Sequence, residues 1–73
     1  MNYLLIFEST HHVMKAEKLL LAAGFRLDII STPKEISSAC GLSIRMKPEN
    51  TDLEMVRLVL TENGLTFNIH EKK

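Results

Sequence analysis

Cys40 is the only cysteine in the chain, and its thiol is the most nucleophilic group that the sequence offers. Ser37, Ser38 and Ala39 precede it and Gly41 follows it, so no bulky neighbour along the chain shields the sulfur. A thiol in such a segment can act as a nucleophile or take up a sulfur atom. The alternative is that Cys40 is a small buried hydrophobe, as free cysteines commonly are.

An insertion of about ten residues, 31–41, carries Cys40 between two predicted strands. Thr32 is a candidate N-cap and Pro33 stands at the first helical position, so the pattern predicts a short helical turn over 33–38. Cys40 then lies at the junction between this turn and the next strand. Connections carry functional sites more often than cores do. The alternative is a loop that only covers the sheet.

Two features of the sequence argue against a reactive thiol. The end of a short helix is the negative end of its dipole, which disfavours a thiolate, and an ordinary thiol has a pKa of about 8.5. Cys40 also has the same parity along the third strand as three apolar residues, Leu42, Ile44 and Met46. An early start of that strand would therefore direct the sulfur into the core. The local cations that could stabilise a charged sulfur are Lys34, Arg45 and Lys47.

The chain repeats itself at an offset of 40 residues. Residues 3–29 align with 43–69, so the apolar run 3–7 falls on 43–47. The segments 24–29 and 64–69 both begin with glycine and then alternate apolar and polar residues, as half-buried strands do. Each half therefore predicts a strand, a helix and a second strand.

Helical spacing of apolar residues indicates one helix in each half. The first runs from about His11 to Ala23, with Ser9 and Thr10 as N-cap candidates, and the second begins at the capping box Thr51-x-x-Glu54. The predicted core stripes are Val13, Ala16, Leu19, Leu20 and Ala23 on the first helix and Leu53, Val56, Val59 and Leu60 on the second. Gly24 and Gly64 follow the helix ends, where a left-handed residue is favoured.

Two such βαβ units in tandem predict a single α+β domain over residues 1–73 with the ferredoxin-like plait, β-α-β-β-α-β. We expect a four-stranded antiparallel sheet with both helices on one face. The third strand, 42–47, should lie beside the first at the centre of the sheet. We further expect these two central strands to run parallel. The plait hosts many functions, so this prediction does not identify one.

Composition disfavours several classes of partner. Lys plus Arg equals Asp plus Glu at nine each, and nucleic-acid binding normally needs a basic surplus. The apolar N-terminal run ends at Glu8, too early for a signal peptide or a membrane span, which predicts a cytoplasmic protein without membrane partners. The adjacent pair His11-His12 cannot share a metal as an i, i+4 pair would, and we read it, like His70, as surface. We expect no metal and no cofactor.

Four large apolar side chains point away from the predicted core stripes of the helices. They are Met14, Leu21, Met55 and Leu58. Single exposed apolar residues are normal on protein surfaces. Four on a domain of 73 residues keep self-association or docking of a partner open.

The sequence resembles the selenium/sulfur carrier protein-like family of small bacterial proteins over essentially its whole length. The residues that carry the resemblance are Ser9-Thr10-His11, Lys15-Ala16-Glu17-Lys18-Leu19-Leu20, Ala23-Gly24 and above all Pro33-Lys34-Glu35-Ile36-Ser37-Ser38-Ala39-Cys40-Gly41-Leu42. The resemblance implies that Cys40 is the cysteine that the family presents. The family pattern commonly has Arg in place of Lys34 and Ser in place of Ala39. The Cys-Pro-x-Pro motif of other sulfur-relay carriers is absent from the sequence.

Two hypotheses follow. In the first, the protein is a carrier and not an enzyme: Cys40 holds sulfur or selenium as a persulfide or selenosulfide, received from a cysteine desulfurase or another donor and passed to an acceptor protein. Ser37, Ser38, Gly41, Lys34 and Arg45 would stabilise the terminal atom. In the second, the protein is a small dimeric binding or regulatory module that uses the 31–41 loop, with Cys40 in a structural role.

Overall fold

The computed structural model describes residues 2–36 and 41–72, with the side chains of Asn50 and Lys72 left aside. The described chain alternates strands and helices in the order β1-α1-β2-β3-α2-β4. The elements are β1 Asn2–Ile6, α1 Thr10–Ala22, β2 Asp28–Ser31, β3 Leu42–Met46, a short 3-10 turn Pro48–Asn50, α2 Leu53–Glu62 and β4 Asn68–Lys72. This is the α+β ferredoxin-like plait that the repeat predicts.

The four strands lie in the order β2-β3-β1-β4, and every neighbouring pair is antiparallel. The first and third strands are central, as predicted, but the prediction that they run parallel is wrong. A right-handed β-α-β crossover makes β2 parallel to β1 and leaves one strand position free between them. The chain then turns back from β2 into that gap, so β3 runs antiparallel to both of its neighbours.

The repeat holds for the element order, although the strand faces do not follow a strict offset of 40. Leu5 is paired with Ile44 across the centre of the sheet, and both side chains are fully buried. Leu5 also faces Ile69 on β4, as Ile44 faces Ile29 on β2. Structurally equivalent residues of the central strands are therefore 39 positions apart, while those of the edge strands are 40 apart. Six residues separate β3 from α2, compared with three between β1 and α1, and the 3-10 turn lies among the six.

Helix α1 is capped by Ser9, whose hydroxyl accepts a hydrogen bond from the backbone N–H of His12 at 3.3 Å. At the other end, Gly24 has a φ of 92°, the left-handed conformation predicted for it. The helix ends at Ala22, so Ala23 is the C-cap and is exposed. The prediction that Ala23 belongs to the core stripe is wrong because the helical repeat stops one residue earlier.

Helix α2 begins later than its capping-box pattern predicts. Asp52, not Thr51, is the N-cap: its carboxylate accepts hydrogen bonds from the backbone N–H groups of Glu54 and Met55. The 3-10 turn immediately before it occupies the chain up to residue 50 and moves the helix start. Gly64 has a φ of 76°, so the predicted helix end is correct.

One hydrophobic core joins the two helices to one face of the sheet. Its buried members are Leu5, Phe7, Val13, Ala16, Leu20, Ile44, Met46, Val56, Leu60 and Leu65. Val59 and Leu19 pack against it while partly buried, and Leu53, predicted as core, is half-buried. The predicted strands 24–29 and 64–69 begin only at Asp28 and Asn68.

Candidate functional site

The connection that carries Cys40 is closed at its base by backbone hydrogen bonding. Ser31 and Leu42 form the last register pair of the β2–β3 ladder. Immediately beyond it, the backbone N–H of Thr32 donates a hydrogen bond to the carbonyl oxygen of Gly41 at 2.9 Å. The chain therefore leaves and re-enters the sheet at a single point, and Cys40 directly precedes Gly41 in the sequence.

A pair of hydroxyl groups lies directly below this closure. The Oγ1 of Thr32 and the Oγ of Ser43 are 2.6 Å apart and hydrogen bonded. Ser43 is fully buried on the sheet face turned away from the helices, so its hydroxyl needs such a partner. Sequence analysis did not identify this pair, because the whole insertion separates the two residues and only the strand register brings them together.

The first part of the insertion forms the predicted turn. The backbone N–H of Ile36 donates to the carbonyl oxygen of Pro33 at 3.0 Å, which closes one turn over residues 33–36. Lys34 lies in this turn with an exposed side chain. Ser37, Ser38 and Cys40 lie outside the described residues, so the end of the turn and the setting of the thiol stay predictions.

Gly41 lies in open surroundings. A Cβ atom built at this position would meet no described atom within 4 Å beyond its two chain neighbours. The backbone beside Cys40 in the sequence is thus not enclosed by the described part of the molecule. The ladder of β3 begins at Leu42, after the Gly41 carbonyl has already bonded back to Thr32.

The side chain of Arg45 is directed towards the neighbouring strand β2. Its Nη2 forms an ion pair with the Oδ2 of Asp28 at 2.9 Å, with which it is in register on the neighbouring strand. Arg45 also lies four residues beyond Gly41, a separation of about 13 Å along an extended strand. In the structure, Arg45 is therefore paired with Asp28. Its predicted role toward Cys40 stays a prediction.

The sheet face opposite the helices is buried at its centre, although a single layer of helices on one face would leave the other face open to solvent. Leu4 and Ile6 alternate with the core-facing Leu5, so they lie on this second face, yet they are 1% and 6% exposed. The signal for this was the uninterrupted apolar run of the first strand, which lacks the polar residues of a strand with one solvated face.

Two of the three histidines lie on α1 and the third lies on β4. His11 and His70 are exposed, as predicted, whereas His12 is half-buried and its Nδ1 is a buried atom without a hydrogen-bond partner among residues 2–36 and 41–72. Within the described residues, no group of three His, Cys, Asp or Glu side chains could hold a metal ion. Across the same residues, no helix is long and apolar enough to cross a membrane.

The Thr32–Ser43 hydroxyl pair should couple the insertion to the sheet. Thr32→Val and Ser43→Ala each remove one hydroxyl at nearly constant shape, and each should lower the free energy of unfolding by about 1–3 kcal/mol because a buried partner loses its bond. The double variant should lose less free energy of unfolding than the two single variants lose together, because either substitution alone already breaks the bond. Denaturant unfolding of the four proteins measures this. Strictly additive losses would show that the two hydroxyls do not interact.

Comparison with known proteins yields one match. A family model described as "Putative Se/S carrier protein-like" matches residues 2–71 of the 73-residue chain. No curated protein and no solved structure matches the sequence. The match covers every described strand and helix, apart from the final residue of β4, together with the whole insertion.

Proposed function

We propose a function from one premise: this chain belongs to the Se/S carrier protein-like family, whose model covers residues 2–71. The protein acts as a non-enzymatic carrier that holds sulfur or selenium on Cys40 and hands it to an acceptor. The observation that supports this most is the place of the single cysteine in the sequence: it directly precedes Gly41, whose carbonyl oxygen closes the base of an insertion that the family model includes. No other cysteine in the sequence competes for the role.

The transfer is an exchange between sulfur centres and needs no external oxidant. The Cys40 thiolate attacks the terminal sulfur of a persulfide on the donor, for which a cysteine desulfurase is the expected source. A new S–S bond forms at Cys40, the S–S bond of the donor breaks, and the donor thiolate leaves with the electron pair of the broken bond. The proton of the Cys40 thiol passes to solvent or to the departing thiolate. A selenium atom held by the donor in the same oxidation state would be transferred in the same way.

Delivery reverses these steps. A thiolate on the acceptor protein attacks the terminal sulfur or selenium, and the Cys40 thiolate is displaced. Carriage therefore requires an accessible sulfur and groups that tolerate a negative terminal atom. Hydroxyls of Ser37 and Ser38, the backbone N–H of Gly41 and the ammonium of Lys34 are the proposed groups. Arg45 could contribute only by giving up part of its ion pair with Asp28.

A free thiol that must cycle between forms fits a reducing compartment, so the proposal places the protein in the cytoplasm.

The closed base of the insertion has a role in the proposed transfer. The bond between Thr32 and Gly41, together with the hydroxyl pair below it, fixes both ends of the segment that bears Cys40. A donor protein then meets the segment at a defined end of the sheet, where β2 ends and β3 begins.

Accessibility of the thiol tests the proposal. In the folded protein, Cys40 should react with a small thiol reagent at a rate not far below that of the denatured chain, because a carrier sulfur must be reached by two partner proteins. The measurement is the rate of reagent uptake with and without denaturant, at one pH. A rate lowered by orders of magnitude would identify a buried cysteine and would contradict the carrier proposal, because the sequence contains no other thiol.

The second candidate is a small dimeric binding or regulatory module in which Cys40 is structural. The four apolar residues predicted to lie outside the core stripes are all exposed: Met14 by 46%, Leu21 by 52%, Met55 by 46% and Leu58 by 50%. Met14 and Leu21 lie on α1, and Met55 and Leu58 lie on α2. Sedimentation at several concentrations separates the candidates: a stable dimer whose Cys40 resists reagent favours the module, and a reactive Cys40 favours the carrier in either oligomeric state.

A further inference from the structure

A second polar site lies at the far end of β2 and β3 from the Cys40 insertion. It is an open cleft of about 200 Å³ lined by Arg26, Leu27, Asp28, Arg45 and Lys47. Asp28 and Arg45 are register partners, and the same register extended by two residues brings Arg26 opposite Lys47. The cleft is therefore built by side chains of two paired strands and their continuations, on the sheet face away from the helices.

The cleft carries an excess of positive charge. Three cations and one carboxylate line it, and the single carboxylate, Asp28, is already paired with Arg45. Arg26 and Lys47 form no ion pair within the described part of the chain, and both are exposed. These four groups leave a local charge of two positive units in a protein whose formal net charge is zero. The cleft is therefore a local concentration of positive charge on a chain that is neutral overall.

Arg45 adds a hydrogen-bond donor that the protein itself does not use. Its Nη2 donates to Asp28, but its Nε is buried and has no acceptor among the described residues. That atom has almost no exposed surface, so an ion in the cleft contacts the exposed part of the Arg45 side chain, which is 40% accessible, rather than Nε itself. The guanidinium group is also fixed in place by its ion pair, so little side-chain freedom is lost when a further oxygen binds.

We propose that this cleft binds a small tetrahedral dianion of the phosphate or sulfate type. Two unpaired cations match a ligand of two negative charges, whereas a single carboxylate would leave one of them uncompensated. A tetrahedral oxyanion also offers enough oxygens to reach Arg26, Lys47 and Arg45 at once, with short charge-assisted hydrogen bonds. The open shape of the cleft suits a small ion, or the phosphate group of a larger molecule that extends into solvent.

The site is independent of the proposed carrier function. Lys47 lies six residues beyond Gly41, about 20 Å along an extended strand, so the length of β3 separates the cleft from the base of the insertion. A failure of sulfur loading would leave the anion site untouched, and a failure of anion binding would leave the carrier proposal untouched.

Titration followed by NMR tests the proposal. Sodium sulfate and, separately, inorganic phosphate are added to the labelled protein while chloride keeps the ionic strength constant, because exposed charges are screened by salt. We expect saturable shifts of the Nε–H signal of Arg45 and of the backbone signals of Arg26 and Lys47. Acetate, a monoanion, should bind more weakly than either dianion.

Matched variants assign the effect to the cleft. The double variant Arg26→Gln/Lys47→Gln should weaken sulfate binding by at least about tenfold, since both unpaired cations are removed. Arg57→Gln removes an exposed arginine on α2 and should leave the affinity unchanged. Shifts that rise linearly without saturation, or an equal loss in Arg57→Gln, would show general ion screening and overturn the proposal.

Discussion

Cys40→Ser should abolish sulfur uptake while changing the free energy of unfolding by no more than about 0.5 kcal/mol. The expected stability follows from the proposed open position of the thiol, where the substitution removes almost no buried apolar area. The expected loss of function follows from the sequence, which holds no second cysteine to take over. Denaturant unfolding and a loading assay with a cysteine desulfurase and cysteine, run on wild type and variant together, measure both effects.

A structural cysteine would behave differently in the same pair of experiments. If the sulfur packs behind β3 with Leu42 and Ile44, the serine hydroxyl must find a hydrogen bond in an apolar setting, which costs about 1–3 kcal/mol. Cys40→Ala is the matched control, because it removes the thiol without adding a hydroxyl. A clearly destabilised Cys40→Ser, together with a wild-type protein that takes up no sulfur, would favour the structural role.

Leu5→Ala should cost about 2–5 kcal/mol of unfolding free energy, the range for large-to-small changes in a packed core. Leu5 is fully buried at the centre of the sheet, between Ile44 on β3 and Ile69 on β4. Small domains are stable by only several kcal/mol, so this loss is a large share of the total and could unfold the protein at physiological temperature. Thermal and denaturant unfolding measure it.

Leu58→Ala provides the matched control for that prediction. It makes the same chemical change on α2 at a side chain that is 50% exposed, so we expect a change within about 0.5 kcal/mol. If Leu58→Ala proves as costly as Leu5→Ala, then Leu58 is buried in solution against a second copy or a partner. That outcome would strengthen the dimeric module and require a different account of the helix surface.

The repeated pattern of strand and helix residues was enough to predict the plait, because each strand and helix signal is carried by residues close together in the sequence. Gly24 and Gly64 marked both helix ends, and both adopt positive φ values. The strand faces depend on an exact count instead. The central strands correspond at an offset of 39 and not 40, and a shift of one residue reverses the face of every strand side chain. Burial of Leu5 and Ile44 reveals the true correspondence.

The direction of the central strands and the start of α2 illustrate two further limits. Strand direction is set by how the crossover and the return from β2 combine, which a pattern of apolar residues does not encode. The helix start was ambiguous because Thr51 and Asp52 are both good N-cap residues. Backbone geometry selects Asp52, whose carboxylate reaches two N–H groups.

The candidate site was only partly predictable for a related reason. The residue types alone were enough to predict a functional role for Cys40 and a turn that begins at Pro33. The bonds that close the insertion, from Thr32 to Gly41 and to Ser43, join residues nine and eleven positions apart and arise from the β2–β3 register. The ion pair of Arg45 with Asp28 has the same origin, and the sequence pattern did not predict it.

Mass spectrometry of the desulfurase-treated protein tests the central claim most directly. The protein is incubated with a cysteine desulfurase and cysteine, then measured intact and as peptides, each before and after reductant. We expect the mass of one additional sulfur atom, located on the peptide that contains Cys40 and removed by reductant, and the mass of one selenium atom when a selenium donor replaces cysteine. A protein that gains neither atom, although its Cys40 reacts freely with thiol reagents, would contradict the carrier function.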